Sequence, residues 1–286
     1  CGVVHPCDGE SMRGAIASMQ RGLIEAIFIG PENKIREIAE QAGIDLYGIQ
    51  IESVEHSHAA ADRAAEMAVS REVETLMKGS LHTDELIHAI VSRTELRTSR
   101  RMSHVYRFDV PTYHKPLLLT DAALNIFPDL NIKADIIQNA ISFAKIMGVS
   151  LPKVAILSAV ETINSNIPST IDAAALCKMA QRGQITGGLL DGPLAFDNAI
   201  SAHAALIKKI ESEVAGDADI LVAPDLEAGN MLGKQLEYLG GAMVSGIVLG
   251  ARIPIALTSR ADGLSARLSS ALLTKLVAHH NRIARP

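Results

Sequence analysis

The feature that most constrains the fold is the alternation of short apolar runs with amphipathic helical patterns along nearly the whole chain. Most of the apolar runs are rich in β-branched residues and are bounded by turn residues, as strands are. Such alternation is typical of parallel βαβ units, so the sequence predicts an α/β fold. With 286 residues, the chain is long enough for two domains. The predicted strands are 2–4, 26–29, 49–54, 75–77, 103–110, 117–119, 154–157, 185–190, 220–223 and 253–257, and the predicted helices are 11–22, 32–42, 58–70, 83–93, 131–148, 169–183, 197–211, 231–239 and the residues after 263.

Composition and charge disfavour several classes of function. The net charge of −5, with 3% aromatic residues and no tryptophan, disfavours nucleic-acid binding, which needs a basic field or stacking platforms. Cys1, Cys7 and Cys177 are an odd number without metal-ligand spacing, which argues against disulfides and a zinc site. Because there is neither a spanning apolar run nor a signal-peptide pattern, we expect a soluble cytoplasmic protein without a membrane partner.

Small polar or acidic residues follow at least five of the apolar runs. Parallel strands end at one edge of a sheet, so these clusters are expected to converge on a single ligand site there. The clusters are 120–125, 158–161, 191–192, 225–230 and 258–262.

The last cluster, Thr258-Ser259-Arg260-Ala261-Asp262, comes between an apolar run and a long helical pattern. Hydroxyls, a guanidinium and the amides of a helix N-terminus together suit an oxyanion such as phosphate. An ordinary helix cap with a solvated arginine is the alternative.

Other residues have structural alternatives as well. Asp121, Asp191 and Asp225 could simply cap helices, and Lys78 could be either a surface lysine or an anion ligand. We interpret His5, before Pro6, as a structural histidine. Asn230 and Lys234 are one helical turn apart and therefore share a helix face.

In their order along the chain, these motifs resemble the phosphate acetyltransferase and phosphate butyryltransferase family, the phosphotransacylases. The resemblance covers essentially the whole chain, and the Ser-Arg-Ala-Asp form is closest to butyryl-type members or to the transferase half of hydratase fusions. It is carried by Val4-His5-Pro6 with Asp8, Met77-Lys78-Gly79 with His82-Thr83-Asp84, Thr120-Asp121-Ala122 with Asn125 and Pro128, Ile156-Leu157-Ser158 with Glu161, Leu190-Asp191-Gly192-Pro193 with Phe196-Asp197, Pro224-Asp225-Leu226 with Ala228-Gly229-Asn230 and Lys234, and Ser259-Arg260.

The resemblance implies two α/β/α domains with mixed, mostly parallel sheets, as in the isocitrate and isopropylmalate dehydrogenases, and an active site in the cleft between them. The expected domains are 1–115 with 260–286, and 116–259. It also implies a homodimer that transfers an acyl group reversibly between coenzyme A and inorganic phosphate, giving acyl phosphate by direct displacement. Coenzyme A is then a substrate, and neither a cofactor nor a metal is expected.

Residue roles follow from the same resemblance. Ser259, Arg260 and Asn125 are the expected catalytic residues. Asn125, Ser158 and the amides around Gly229 and Asn230 are candidate donors to the tetrahedral oxyanion. The expected phosphate and coenzyme A ligands are Lys78, Thr120, Asp121, Ser158, Asp191, Gly192, Asp225, Gly229, Asn230 and Thr258.

The general base is left open by the sequence. The position of the aspartate proposed as base in acetyl-specific members falls near Ala266, which leaves Asp262 as the only acid in the turn. A covalent role for Ser259 is disfavoured because no GxSxG motif surrounds it.

Two other functions remain alternatives. One is a catalytically silent relative that binds acyl-CoA or regulates a partner. The other is a metal- and NAD-dependent dehydrogenase on the same fold, for which the sequence offers no metal cluster or nucleotide-binding motif.

Overall fold

The computed structural model describes residues 1–259 and 261–284. Two compact units divide the chain. The first, here the terminal unit, is Cys1–Arg100 with Ser245–Pro286, and the second, the middle unit, is Arg101–Val244. The first unit ends at residue 100, where the sequence predicted a domain boundary at 115, and the middle unit ends at residue 244, where it predicted 259. Each observed boundary thus lies 15 residues before the predicted one.

The secondary structure is dominated by short strands and longer helices in alternation. The strands are β1 (Gly2–Val4), β2 (Ile27–Gly30), β3 (Gln50–Ser53), β4 (Leu76–Lys78), β5 (Ser103–Asp109), β6 (Leu117–Thr120), β7 (Lys153–Leu157), β8 (Leu189–Leu194), β9 (Ile220–Val222), β10 (Met243–Leu249) and β11 (Ile255–Ala256). The helices are α1 (Gly9–Gln20), α2 (Glu32–Ala42), α3 (Ser57–Val69), α4 (Thr83–Ser92), α5 (Leu130–Ile146), α6 (Pro168–Gln181), α7 (Phe196–Ile200), α8 (Ala202–Ile207), α9 (Leu226–Tyr238) and α10 (Leu264–Ile283).

In the terminal unit the strands pair in the order β3-β2-β1-β4-β11-β10. All these pairs are parallel except β10 with β11. The order reverses at β1, because β2 and β3 lie on one side of it and β4 on the other. The carboxyl ends of β1, β4 and β11 therefore share one edge of the sheet, at a topological switch point where α/β folds bind ligands.

The core of the terminal unit is formed where α1, α2 and α10 cover β1 and β2. Val3, Met12, Phe28, Ile35 and Ala271 are buried together there. Burial of side chains this size is the main stabilising term for the unit, at about 1.5–3 kcal/mol for each large one.

In the middle unit the strands pair in the order β5-β6-β9-β7-β8. β5 runs antiparallel to β6, and the other pairs are parallel. On α5 the predicted apolar stripe of Ile136, Ile137, Ala140 and Phe143 is buried, which confirms that periodicity. The α/β class with mixed, mostly parallel strands is likewise confirmed.

Three local predictions were wrong and one strand was missed, each for a physical reason. The strand predicted at 185–190 is β8, further along the chain, because Gly187 and Gly188 lie in the turn before it. The helix predicted at 197–211 is divided into α7 and α8 by Ser201, whose backbone is extended and whose side chain caps the second piece. α9 begins five residues before the predicted start at 231, because Asp225 caps it. β10 was not predicted, because Ser245 and Gly246 interrupt its apolar run.

No helix in residues 1–259 and 261–284 has both the length and the apolar character needed to cross a bilayer.

Candidate active site

The middle unit places several of the predicted polar residues at one edge of its parallel strands. β6 and β7 both pair with β9, and β7 also pairs with β8, so Thr120 and Ser158 lie at or just beyond carboxyl ends on the same edge. Ala223, just after β9, donates its amide to the carbonyl of Thr120 at 2.8 Å. The hydrogen of the Thr120 hydroxyl is already used, because it is donated to the carbonyl of His104 at 2.8 Å.

Asp121 organises the loop after β6. Its Oδ1 accepts the amides of Ala123 at 2.9 Å and Leu124 at 3.1 Å, and its Oδ2 accepts the side-chain amide of Asn125 at 2.6 Å. Burial raises the pKa of Asp121 above its ordinary value, and these hydrogen bonds oppose that rise. The carboxylate therefore folds the loop rather than facing solvent, since the residue is only 3% exposed.

Asn125 is held by two of its own hydrogen bonds. Nδ2 donates to Asp121 and, at 2.9 Å, to the carbonyl of Met102. An amide nitrogen has two hydrogens, so both are used and the atom that Asn125 can offer to a substrate is its acceptor Oδ1.

The 225–230 cluster forms the start of α9 rather than a loop. Asp225 is the N-cap and accepts the amide of Ala228 at 2.9 Å, while the amide of Gly229 donates to the carbonyl of Asp225 at 3.1 Å. The Gly229 amide, expected from the sequence to serve an oxyanion, is thus used within the helix. Asn230 donates its side chain to the carbonyl of Ala122 at 3.1 Å, which ties α9 to the Asp121 loop.

Gly229 is required by close packing against that loop. A Cβ there would lie 2.4 Å from the carbonyl oxygen of Asp121 and 3.2 Å from Cα of Ala122. The glycine therefore lets the helix approach the loop backbone.

Further along the same edge, Ser158 shares a hydrogen bond of 2.8 Å with the hydroxyl of Ser169 in the first turn of α6. Asp191 and Gly192 lie inside β8, not beyond it, and Asp191 Oδ1 accepts the amide of Gly192 at 2.8 Å. The hydroxyl pair is the part of this region best placed to donate to an anion.

The terminal unit contains the 258–262 turn, between β11 and α10. The amide of Ser259 donates to Asp262 Oδ2 at 2.8 Å, and the amide of Asp262 returns to the carbonyl of Ser259 at 3.2 Å. These bonds make Asp262 a structural part of the turn. Arg260, the expected phosphate ligand, lies outside the described residues.

Arg267 on α10 was not predicted as a site residue, although it supports this turn. Its guanidinium donates to the Thr258 hydroxyl at 3.0 Å, to the Ser259 carbonyl at 3.1 Å and to the Asp262 carbonyl at 3.2 Å. The sequence carried a signal for it, because Arg267 lies three and four residues before the buried Ser270 and Ala271, on the packed stripe of the helix.

Lys78 and its neighbours lie at the carboxyl end of β4, next to β11. Lys78 is only 6% exposed, and its amino group donates to the carbonyls of Gly79 at 3.1 Å and Leu81 at 3.0 Å. A Cβ on Gly79 would lie 2.4 Å from the carbonyl oxygen of His5, so glycine allows the ends of β1 and β4 to approach.

His5 is held in one tautomer by Ser80. The Ser80 hydroxyl donates to the His5 carbonyl at 3.0 Å, so it must accept from Nδ1–H of the same ring at 2.9 Å. The other ring nitrogen, Nε2, is then the acceptor. Burial, followed by the positive charge of Lys34, lowers the pKa of His5, which favours this neutral form.

The thiols of Cys7 and Cys177 are unsuited to nucleophilic chemistry. Burial raises the pKa of the Cys7 thiol to about 11 and that of Cys177 to about 12, so both are protonated at neutral pH. Among the residues that the structure describes, no three His, Cys, Asp or Glu side chains are grouped to hold a metal ion.

Known proteins resemble this chain over almost its full length. The sequence matches the phosphate acetyl/butaryl transferase family over residues 59–275. It is 57% identical to a phosphate acetyltransferase of Rhizobium meliloti, covering 99% of this chain and 90% of that protein. It is 39% identical to a phosphate butyryltransferase of Clostridium beijerinckii, covering 92% of this chain and 87% of that one.

Solved structures agree with the fold. A branched-chain phosphotransacylase from Enterococcus faecalis V583 superposes with a TM-score of 0.83 at 27% identity, over 97% of this chain and 98% of that chain. A 4-hydroxythreonine-4-phosphate dehydrogenase from Klebsiella pneumoniae gives a TM-score of 0.56 at 13% identity, over 97% of both chains. The second likeness concerns the fold alone, and it confirms the dehydrogenase-like architecture.

Proposed function

The chain belongs to the phosphate acetyl/butaryl transferase family, and from that premise we propose that it transfers a short acyl group reversibly between coenzyme A and inorganic phosphate. A phosphate oxygen attacks the thioester carbonyl carbon, and a tetrahedral oxyanion forms. The carbon–sulfur bond then breaks, coenzyme A leaves as a thiolate that takes up a proton, and acyl phosphate is the product. The reverse reaction begins with the thiolate.

The observation that carries the proposal is the set of hydrogen bonds that hold Thr258, Ser259 and Asp262 after the carboxyl end of β11. The Asp262 carboxylate accepts the Ser259 amide, and the Arg267 guanidinium donates to the Ser259 carbonyl. The turn leads into the N-terminus of α10, where Gly263 at the cap position provides no side chain to cover the helix amides. Phosphate is stabilised by amides at a helix start and by a forked guanidinium, which supports Ser259, Arg260 and Thr258 as its ligands.

Coenzyme A and the thioester are assigned to polar groups of the strand-end clusters. The hydroxyl pair of Ser158 and Ser169 offers a donor to the oxyanion, and Asn125 offers Oδ1 as an acceptor. We assign indirect roles to Asp121, Asp225 and Gly229, which shape the edge. Further contacts to coenzyme A are proposed for Lys78, Thr120, Asp191, Gly192 and Asn230.

Acetyl is the acyl group that the comparisons favour. The relative named for acetyl transfer is 57% identical and the one named for butyryl transfer is 39% identical. Side-by-side assays with acetyl-, propionyl- and butyryl-CoA decide this, and we expect the highest kcat/KM with acetyl-CoA.

Thiol release tests the function itself. The purified protein, given acyl-CoA and phosphate, is expected to release free coenzyme A thiol, and Arg260→Ala is expected to abolish the release. Arg36→Ala, which changes an exposed residue paired with Glu32 on α2, is the matched control and should remain active. If acyl-CoA binds but none of the three thioesters yields thiol, the catalytically silent alternative is correct.

We also propose a homodimer that works in the cytoplasm without a metal or cofactor. Exposed apolar side chains near the end of α9, Tyr238, Leu239 and Met243, support an interface, because patches of this kind mark association surfaces. Three unpaired cysteines suit a reducing compartment. Light scattering is expected to give a molar mass twice that of one chain. A chelator is expected to leave the activity unchanged.

A further inference from the structure

Arg267 is a buried arginine that the proposed reaction does not use directly. It lies in the first turns of α10 and is 5% exposed. Arginines are almost never buried to this extent unless their charge and hydrogen-bond donors are engaged. What engages Arg267 is therefore informative about its role.

The donors of Arg267 are directed at three separate points of the 258–262 turn. Nη1 donates to the Thr258 hydroxyl at 3.0 Å, Nη2 to the Ser259 carbonyl at 3.1 Å and Nε to the Asp262 carbonyl at 3.2 Å. These acceptors come before and after Arg260, so the guanidinium spans the turn from its first to its last residue.

Among the described residues Arg267 makes no direct ion pair, although the buried carboxylate of Asp262 belongs to the same turn. Its partners in the described part of the chain are two carbonyls and a hydroxyl, while the Asp262 carboxylate accepts the Ser259 amide instead. Arg267 therefore acts on the turn through directed hydrogen bonds to two backbone carbonyls and to the Thr258 hydroxyl.

The space for this side chain is provided by α1. A Cβ on Gly14 would lie 2.6 Å from Cδ and 3.1 Å from Cβ of Arg267. Glycine at that position therefore lets the arginine stem cross α1 and reach the turn.

We propose that Arg267 is a positioning residue: its three hydrogen bonds set the geometry of Thr258, Ser259 and Asp262, on either side of Arg260, and thereby favour phosphate binding there. The inference rests on the proposed function. Arginine is specific for the task because its planar group has donors in three directions, whereas a lysine ammonium cannot meet all three acceptors in this plane.

Three variants test the proposal. Arg267→Met keeps much of the stem volume and removes the donors and the charge, and Arg267→Lys keeps the charge alone. Gly14→Ala keeps the guanidinium in the protein but displaces it, because the new Cβ would lie 2.6 Å from Cδ of Arg267. Arg282→Met is the control on the same helix, since Arg282 is exposed and pairs with Glu74. Gly9→Ala is the control on α1, where the added methyl would meet only the flexible end of Arg13.

Steady-state kinetics separate positioning from bulk stability. We expect Arg267→Met to raise the KM for phosphate at least 10-fold and to lower kcat, with the KM for acyl-CoA changed less than 2-fold. Arg267→Lys and Gly14→Ala should shift the same constants by smaller factors, and both controls should match the wild type. An unchanged KM for phosphate in all three variants, with only a smaller active fraction or a lower Tm, would mean a purely structural role and overturn the proposal.

Hydrogen exchange supplies a readout that does not depend on activity. The amides of Ser259 and Asp262 are expected to exchange at least 10-fold faster in Arg267→Met than in the wild type, while those of α2 are unchanged. Equal exchange at the turn would refute positioning by Arg267. Absence of thiol release from the wild type would instead refute the proposed function, and the exchange result would still decide whether Arg267 sets the turn.

Discussion

The carboxylate of Asp121 accepts the side-chain amide of Asn125 across 2.6 Å, and this contact fixes which atom of Asn125 is available for chemistry. The second amide hydrogen goes to the carbonyl of Met102. Asn125 can therefore accept a hydrogen bond from a substrate through Oδ1, whereas donation would require the Asp121 contact to break.

Asn125→Asp is expected to be strongly pH-dependent. The change places two carboxylates in contact at a site where Asn125 is 8% exposed, so ionising both costs about 3 kcal/mol or more. Their mutual repulsion raises the pKa of the pair in the folded state, so the stability lost at pH 7 is partly regained as the pH falls toward 5. Urea unfolding at both pH values measures this. Asn125→Ala, which adds no charge, is the control, and an equal loss at both pH values in Asn125→Asp would contradict the proposed contact.

His104 should make the protein sensitive to acid. Its ring is fully buried, and burial lowers its pKa to about 3. Between pH 6.5 and 3 the unfolded chain binds a proton here that the folded chain does not, so stability falls with falling pH by about 1.4 kcal/mol per unit. Relative to His104→Leu, the wild type should lose about 2 kcal/mol between pH 6.5 and 5. Exposed His203→Leu is the control, and parallel stability curves for wild type and His104→Leu would show that the ring titrates normally.

Gly229→Ala tests the close approach of α9 to the Asp121 loop. Because the new Cβ would lie 2.4 Å from the Asp121 carbonyl oxygen, backbone must shift, and we expect a loss of about 1–3 kcal/mol with reduced activity. Gly233→Ala, one turn further on, is the matched control. Its Cβ would meet side chains alone, the Tyr106 ring at 3.3 Å and Leu119 at 3.6 Å, so the helix-propensity gain of up to about 1 kcal/mol can offset the contact. Similar urea midpoints for the two variants would argue against the requirement for glycine at 229.

The sequence was informative wherever periodicity and strand ends decide the structure. The alternation predicted β6, β7 and β9, and their parallel pairing places Thr120 and Ser158 at a common edge. The hydrogen-bond partners of the side chains and amides at that edge could not be predicted, because they come from residues brought near only by the tertiary fold. Asn125 directs its amide to Asp121, and Gly229 gives its amide to its own helix.

For Arg267, too, the sequence indicates the position on a helix face but not the hydrogen-bond partners. Its position on a buried helical stripe is visible in the sequence, but its partners come from a turn that precedes the helix and from a glycine more than 250 residues away in the chain. Only folding brings Gly14 and Thr258 to the same side chain.

Ser259→Ala is expected to reduce the reaction without abolishing it. The hydrogen bond recorded for the Ser259 hydroxyl is one it accepts from the Ala261 amide at 3.4 Å, and no histidine or carboxylate of the described residues contacts it. A serine nucleophile needs a base at about 2.6–3.2 Å, so the geometry favours a hydroxyl that stabilises the transition state over one that forms an acyl-enzyme. We expect kcat to fall by about 10- to 1,000-fold, as when a single oxyanion donor is lost.

Mass spectrometry tests for an acyl-enzyme. Wild-type protein quenched during turnover of acetyl-CoA should retain its unmodified mass, with Arg36→Ala as the active control. A stable mass increase of one acetyl group that disappears in Ser259→Ala would establish a covalent mechanism and overturn direct displacement.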